Sequence, residues 1–281
     1  MTIGVIGAGT MGGGIAQSAA VSGFDVILND VAGELLTRAQ LAIAQDLQRS
    51  VDKGRIDKAD ADSALTRIHT TTDLESMRSA NFVIEAVIER LDVKHRLFAE
   101  LDSICTPETI LASNTSSLSI TELGSVTRFP HRFLGIHFFN PVSRMKLVEI
   151  IRGHRTSQET LDKAASFVHL LGKEPVIAKD TPGFIVNRVA RNFYGEAFRI
   201  VDESTATYEQ VDKIMRAGGF PMGPFELMDL IGIDINLAVT ESVYEQFFHE
   251  ARFKPHLIQK KMVQARMLGR KTKRGFYDYN T

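Results

Sequence analysis

The run Gly7-Ala8-Gly9-Thr10-Met11-Gly12 spaces glycine as GxGxxG. An apolar stretch precedes it and a helical stretch follows. In that setting Gly7 permits a tight turn, Gly9 lets the backbone approach a pyrophosphate, and Gly12 lets the helix pack close to the sheet. The spacing alone also fits an ordinary strand–helix turn. Asp30 adds to the case, because it ends the next apolar stretch. There a carboxylate can accept hydrogen bonds from ribose hydroxyls and would repel a 2′-phosphate, so a dinucleotide is expected, with NAD favoured over NADP.

Three further groups lie where strands should end. His137 sits within Ile136-His137-Phe138-Phe139-Asn140-Pro141. It is either a satisfied core histidine or a base that takes a hydroxyl proton as hydride leaves. Glu149 interrupts the apolar run Leu147–Ile151. A charge there is costly to bury alone, so it either faces solvent from an edge strand or partners His137. Ala112-Ser113-Asn114-Thr115-Ser116-Ser117 reads first as a polar turn or helix cap.

These residues need elements to hold them. Short apolar runs at 3–6, 24–29, 68–71, 82–87, 109–113, 133–139, 147–151 and 175–178 read as strands. Helical patterns separate many of them, including a long polar one over 34–65 and others over 92–101 and 158–171. Strands alternating with helices predict an α/β fold, a Rossmann-type, mainly parallel sheet covered on both faces. At Lys179-Asp180-Thr181-Pro182-Gly183 the pattern changes. Only helices are expected afterwards, over 184–201, 208–216, 226–248 and 254–268. The expected division is therefore 1–182 for a nucleotide-binding domain and 183–281 for an all-helical C-terminal domain.

Composition excludes several classes of function. The 281 residues are 44% hydrophobic and 24% charged, with a net charge of -1, values expected of a soluble globular chain and not of a general nucleic-acid binder. The lone Cys105 cannot form an internal disulfide or build a metal site, and no Cys/His cluster offers one. No secretory leader or membrane-spanning run is expected, so the default compartment is reducing and cytoplasmic.

Eight segments, in this order, carry a family resemblance: Val5–Gly12, Ile84–Glu89, Leu111–Leu118, His137–Pro141, Met145–Glu149, Pro182–Arg188, Met222-Gly223-Pro224 and Gly275-Phe276-Tyr277. Over essentially the whole chain the sequence resembles L-3-hydroxyacyl-CoA dehydrogenases, including bacterial 3-hydroxybutyryl-CoA dehydrogenases. The resemblance implies NAD-dependent oxidation of the 3-hydroxyl of an acyl-coenzyme A thioester. It implies that His137 is the base, that Glu149 orients it, and that Ser116 and Asn187 hold substrate oxygens. Asp30, Glu89, Lys94, Asn114 and Asn140 match positions around the dinucleotide. Arg49, Lys53 and Arg55 fall where relatives meet coenzyme A phosphates, although a solvated helix face explains them equally well. A homodimer through the C-terminal helices is also implied. Relatives acting on free hydroxy acids, or binding NAD(H) without catalysis, share much of this pattern. The chain departs from it at Ser143-Arg144, where Arg144 is either a surface arginine or a positive charge that meets a second carboxylate on the acyl tail.

Overall fold

The computed structural model describes residues 1–280, which divide between Thr181 and Pro182 into two compact units. In the first, strands and helices alternate: β1 (Thr2–Ile6), α1 (Thr10–Val21), β2 (Asp25–Asn29), α2 (Gly33–Asp52), α3 (Lys58–Thr66), β3 (Ile68–Thr71), β4 (Phe82–Glu85), α4 (Leu91–Ile104), β5 (Ile110–Ser113), α5 (Ile120–Gly124), β6 (Phe133–Phe138), β7 (Leu147–Arg152), α6 (Gln158–Leu170) and β8 (Glu174–Lys179). The eight strands form one sheet in the order β3-β2-β1-β4-β5-β6-β7-β8, and every pair is parallel except β6 with β7. The expected α/β class holds.

The strands are buried for the reason their composition suggested. Ile3, Val5, Val26, Leu28, Ile84, Ala112, Leu134 and Ile136 join the apolar faces of α1, α2 and α6 in one continuous core. β4, β5 and β6 are buried at every position, as the inner strands of a sheet covered on both faces must be. The strand order reverses between β1 and β4, so their carboxyl ends splay and leave the crevice where ligands bind in open α/β sheets.

Helix lengths differ from expectation where glycine intervenes. The long polar stretch over 34–65 is two helices, α2 and α3, because Gly54 turns the chain at φ 62.

The second unit holds α7 (Val186–Asp202), α8 (Tyr208–Ala217), α9 (Pro224–Ile231), α10 (Ile233–Gln246) and α11 (Leu257–Gln264). The helix expected over 226–248 is likewise two, α9 and α10, divided at Gly232 with φ 105. Among the described residues this unit carries no strand, only isolated bridges near the end, Gly269 with Arg274 and Arg274 with Asp278. Tyr194, Phe198, Phe225 and Met228 centre its own core.

Candidate active site

The glycine loop joins β1 to α1. Gly7 has φ 99 and donates its N–H to the Asn29 carbonyl at 2.8 Å. A Cβ there would press on the Ala86 backbone, and one at Gly12 would land on the Gly7 carbonyl. Both glycines are therefore required by the protein itself. Gly9 is different: it is exposed, and a Cβ there would meet nothing within 4 Å. Gly9 also caps α1 with no side chain, and no acid lies in that helix's first turn. A bare, positively polarised helix N-terminus with room beside it suits a pyrophosphate, so the cradle fits a dinucleotide. Thr10 is exposed and Met11 half-buried at the head of the helix.

Asp30 closes on this loop. Its carboxylate accepts the Ala8 N–H at 2.7 Å and the Ala32 N–H at 3.2 Å. It thus anchors the glycine turn to the end of β2, a role that sequence reading missed.

At the carboxyl end of β4 lies a buried polar network. Glu85 is fully buried and accepts the Val87 N–H at 2.7 Å, the Ser113 hydroxyl at 2.6 Å and the Lys94 ammonium. Lys94 is 1% exposed and also meets Glu89 at 3.3 Å. Its charge is thus engaged by two carboxylates. Glu89 in turn accepts from the Thr115 hydroxyl, the Ser116 N–H at 3.1 Å and the Ser117 hydroxyl at 3.1 Å. Burial pushes the Glu89 carboxyl up, but the Lys94 charge and the Thr115 and Ser116 hydrogen bonds outweigh it and hold the group below the usual range. The turn reading of 113–117 is partly right: Thr115 accepts the Ser117 and Leu118 N–H groups. The same turn fixes half-buried Ser116.

The antiparallel pairing of β6 with β7 brings His137 directly opposite Glu149. His137 Nδ1 lies 2.7 Å from Glu149 Oε2, with the two residues 7% and 1% exposed. Glu149 is therefore no solvent-facing edge residue: β7 lies between β6 and β8. Phe139 packs on the imidazole at 4.5 Å between ring centroids. Asn114 braces the same edge, its side-chain oxygen accepting the Phe138 N–H at 2.9 Å. Asn140 is exposed just beyond, and its bond to Pro141 is cis.

Arg49, Lys53 and Arg55, all exposed, line one cleft of about 290 Å³. Its other wall holds Arg144, Lys146 and Lys173. The Lys173 ammonium donates to the Val142 carbonyl and to that of Met145 at 2.8 Å, and burial draws its pKa down. Arg144, read as a surface arginine or as a partner for an acyl-tail carboxylate, is exposed and shares this cleft with the candidate phosphate ligands. In the second unit Asn187 is half-buried in the first turn of α7, its carbonyl accepting from Arg191 Nε at 3.1 Å.

Sequence reading passed over Glu85 and Lys173. Glu85 alone among the apolar residues of β4 gave the same signal as Glu149, a charge inside a strand. Among the described residues no group of His, Cys, Asp and Glu could hold a metal, and no helix is long and apolar enough to cross a membrane.

Comparison with known proteins adds names to this geometry. The family model described as "3-hydroxyacyl-CoA dehydrogenase, NAD binding domain" matches residues 2–181, and "3-hydroxyacyl-CoA dehydrogenase, C-terminal domain" matches 183–279. The chain is 46% identical to 3-hydroxyadipyl-CoA dehydrogenase of Escherichia coli over 99% of its own length and 59% of that protein's, so it spans little more than half of that relative. It is 43% identical to 3-hydroxybutyryl-CoA dehydrogenase of Bradyrhizobium diazoefficiens, covering 99% of this chain and 94% of that one. The crystal structure of (S)-3-hydroxybutyryl-CoA dehydrogenase from Ralstonia eutropha superposes with a TM-score of 0.96 at 42% identity, covering 100% and 99% of the two chains.

Proposed function

The chain belongs to the 3-hydroxyacyl-CoA dehydrogenase family, and from that premise we propose that it catalyses reversible, NAD-dependent oxidation of the 3-hydroxyl of (S)-3-hydroxyacyl-CoA thioesters. The observation that carries this reading is the buried His137–Glu149 pair at 2.7 Å. With Nδ1 bound to Glu149, the opposite ring nitrogen takes the hydroxyl proton as hydride leaves C3. The Glu149 carboxylate fixes the tautomer and stabilises the imidazolium that forms. NAD supplies the hydride acceptor. Gly7, Gly9, Thr10, Met11 and Gly12 cradle its pyrophosphate, Asp30 meets the adenosine ribose, and Glu89, Lys94, Asn114 and Asn140 line the path beyond. Ser116 and Asn187 hold the substrate's oxygens. Arg49, Lys53 and Arg55 meet coenzyme A phosphates, a role supported by the shared cleft. The protein works as a cytoplasmic homodimer joined through its C-terminal helices, in a thioester-oxidising route such as β-oxidation.

The test is NADH consumption with acetoacetyl-CoA, against free acetoacetate. Rapid loss of NADH absorbance with the thioester alone is expected. His137→Gln should lower kcat by about 10²-fold or more while leaving NADH affinity within a few-fold. Equal rates on thioester and free acid, or a His137→Gln variant of full activity, would refute the assignment.

A further inference from the structure

Arg191 presents an electrostatic problem that the reaction above does not use. It lies on α7 and is only 5% exposed. Its guanidinium donates from Nε to the Asn187 carbonyl at 3.1 Å, and from Nη1 to the Asn236 carbonyl at 2.8 Å and the Thr240 hydroxyl at 2.7 Å. The Tyr194 ring lies 5.1 Å away. Every one of these partners is neutral, and none uses Nη2. Among the described residues no carboxylate comes within ion-pair distance. Elsewhere in the molecule buried Lys94 and Arg132 each face a carboxylate, Glu85 and Asp102 respectively. Lys173, the other buried cation without one, also donates only to neutral groups, two carbonyls on the wall of the basic cleft.

A buried cation without a counter-charge is costly to maintain. Burial draws the Arg191 pKa down to about 10, which still leaves it charged at neutral pH. A ligand carboxylate would supply the missing charge, and the planar guanidinium is the side chain best shaped to receive one.

Resting on the function proposed above, we propose that Arg191 binds the terminal carboxylate of a dicarboxylic 3-hydroxyacyl thioester and so selects a six-carbon diacid chain over a plain four-carbon one. Asn187 and Arg191 stand four residues apart on α7 and share a face, about 6 Å apart along the axis. Asn187 is the residue assigned to the substrate's oxygens. A six-carbon diacid carries its second carboxylate three carbon–carbon bonds beyond C3, about 4 Å end to end, and the carboxylate oxygens with a hydrogen bond of about 3 Å extend its reach past that step. A butyryl chain stops one carbon past C3 and leaves Arg191 without a counter-charge.

The experiment compares kcat/KM for 3-hydroxyadipyl-CoA and 3-hydroxybutyryl-CoA in three proteins: wild type, Arg191→Met and Thr240→Asp. The wild type should favour the adipyl thioester. Arg191→Met should lower the adipyl/butyryl ratio about tenfold or more. Thr240→Asp puts a carboxylate on the atom that Nη1 already meets, so it should lower the ratio similarly while holding Tm, which guards against a variant that merely unfolds. A wild type that favours butyryl, or a ratio unchanged across the three proteins with both thioesters turning over, overturns the assignment of Arg191 alone. No turnover of either thioester by wild type overturns the dehydrogenase reading, and this assignment with it.

Discussion

Two arginines are proposed to meet different parts of the substrate. Arg144 is exposed and shares a cleft with Arg49, Lys53 and Arg55, whereas Arg191 is buried beneath neutral acceptors. Their variants should therefore fail differently. Arg144→Ala should raise KM about three- to tenfold for any acyl-CoA, the scale of a partly solvated charge-assisted contact. That loss should vanish with a pantetheine thioester, which has no phosphate for the cleft to hold. A loss that persists on pantetheine would move Arg144 away from the phosphates. Glu149→Gln probes the base in another way. It keeps the shape of the pair but removes the charge that stabilises imidazolium, so kcat should fall about 10²-fold or more with KM little changed. A Glu149→Gln enzyme with wild-type kcat would make Glu149 a structural residue.

At the scale of elements, much of the site was legible because its residues break a pattern. The glycines stand out between strand and helix, and Glu149 stands out inside an apolar run. What sequence could not show was register. His137 meets Glu149 only because β7 runs antiparallel to β6 with those two positions opposed, and a shift of one residue would turn Glu149 to the other face. Helix ends were also hidden where a single glycine decides them, as at Gly54 and Gly232. The Glu85–Lys94 pair was missed because β4 and α4 were read separately. It now carries a stability prediction. Lys94→Met leaves Glu85 buried without its cation and should cost about 3–5 kcal/mol, read as a lower denaturant midpoint. Glu85→Gln combined with Lys94→Met removes both charges and should recover most of that loss. Strictly additive losses would show that the two residues do not act as a pair.

Across the whole molecule, alternating strands and helices followed by helices alone made the fold class readable, since a parallel sheet needs helical crossovers and the later segments lack strand-like runs. The balance of buried acids was not readable, because it depends on tertiary partners. In the first unit, burial pushes Asp102 up, but hydrogen bonds from Arg128 and Arg132 overcome it and hold its carboxyl below the usual range. In the second, burial dominates and raises Asp212 and Asp229, although Tyr277, Tyr279 and backbone N–H groups bind them. These shifts have opposite linkage. For Asp102 the unfolded chain binds more protons as pH falls through the ordinary carboxylate range, so its stabilisation is present above that range and lost on acidification. For Asp229 the folded chain holds its proton longer, so the structure around it gains stability as pH falls through its raised pKa and loses it as pH rises. Amide exchange, corrected for its intrinsic pH dependence, reads the two regions separately. Between about pH 7 and about pH 2.5, roughly the range over which carboxylates of raised, ordinary and lowered pKa titrate, protection of the Arg128 N–H, which donates to Asp102 at 2.9 Å, should fall, mostly below about pH 4. Protection of the Phe276 and Tyr277 N–H groups, which donate to Asp229 at 3.0 Å, should hold or rise. If both regions loosen together on acidification, burial does not govern Asp229, and the C-terminal segment is held by its aromatic contacts instead.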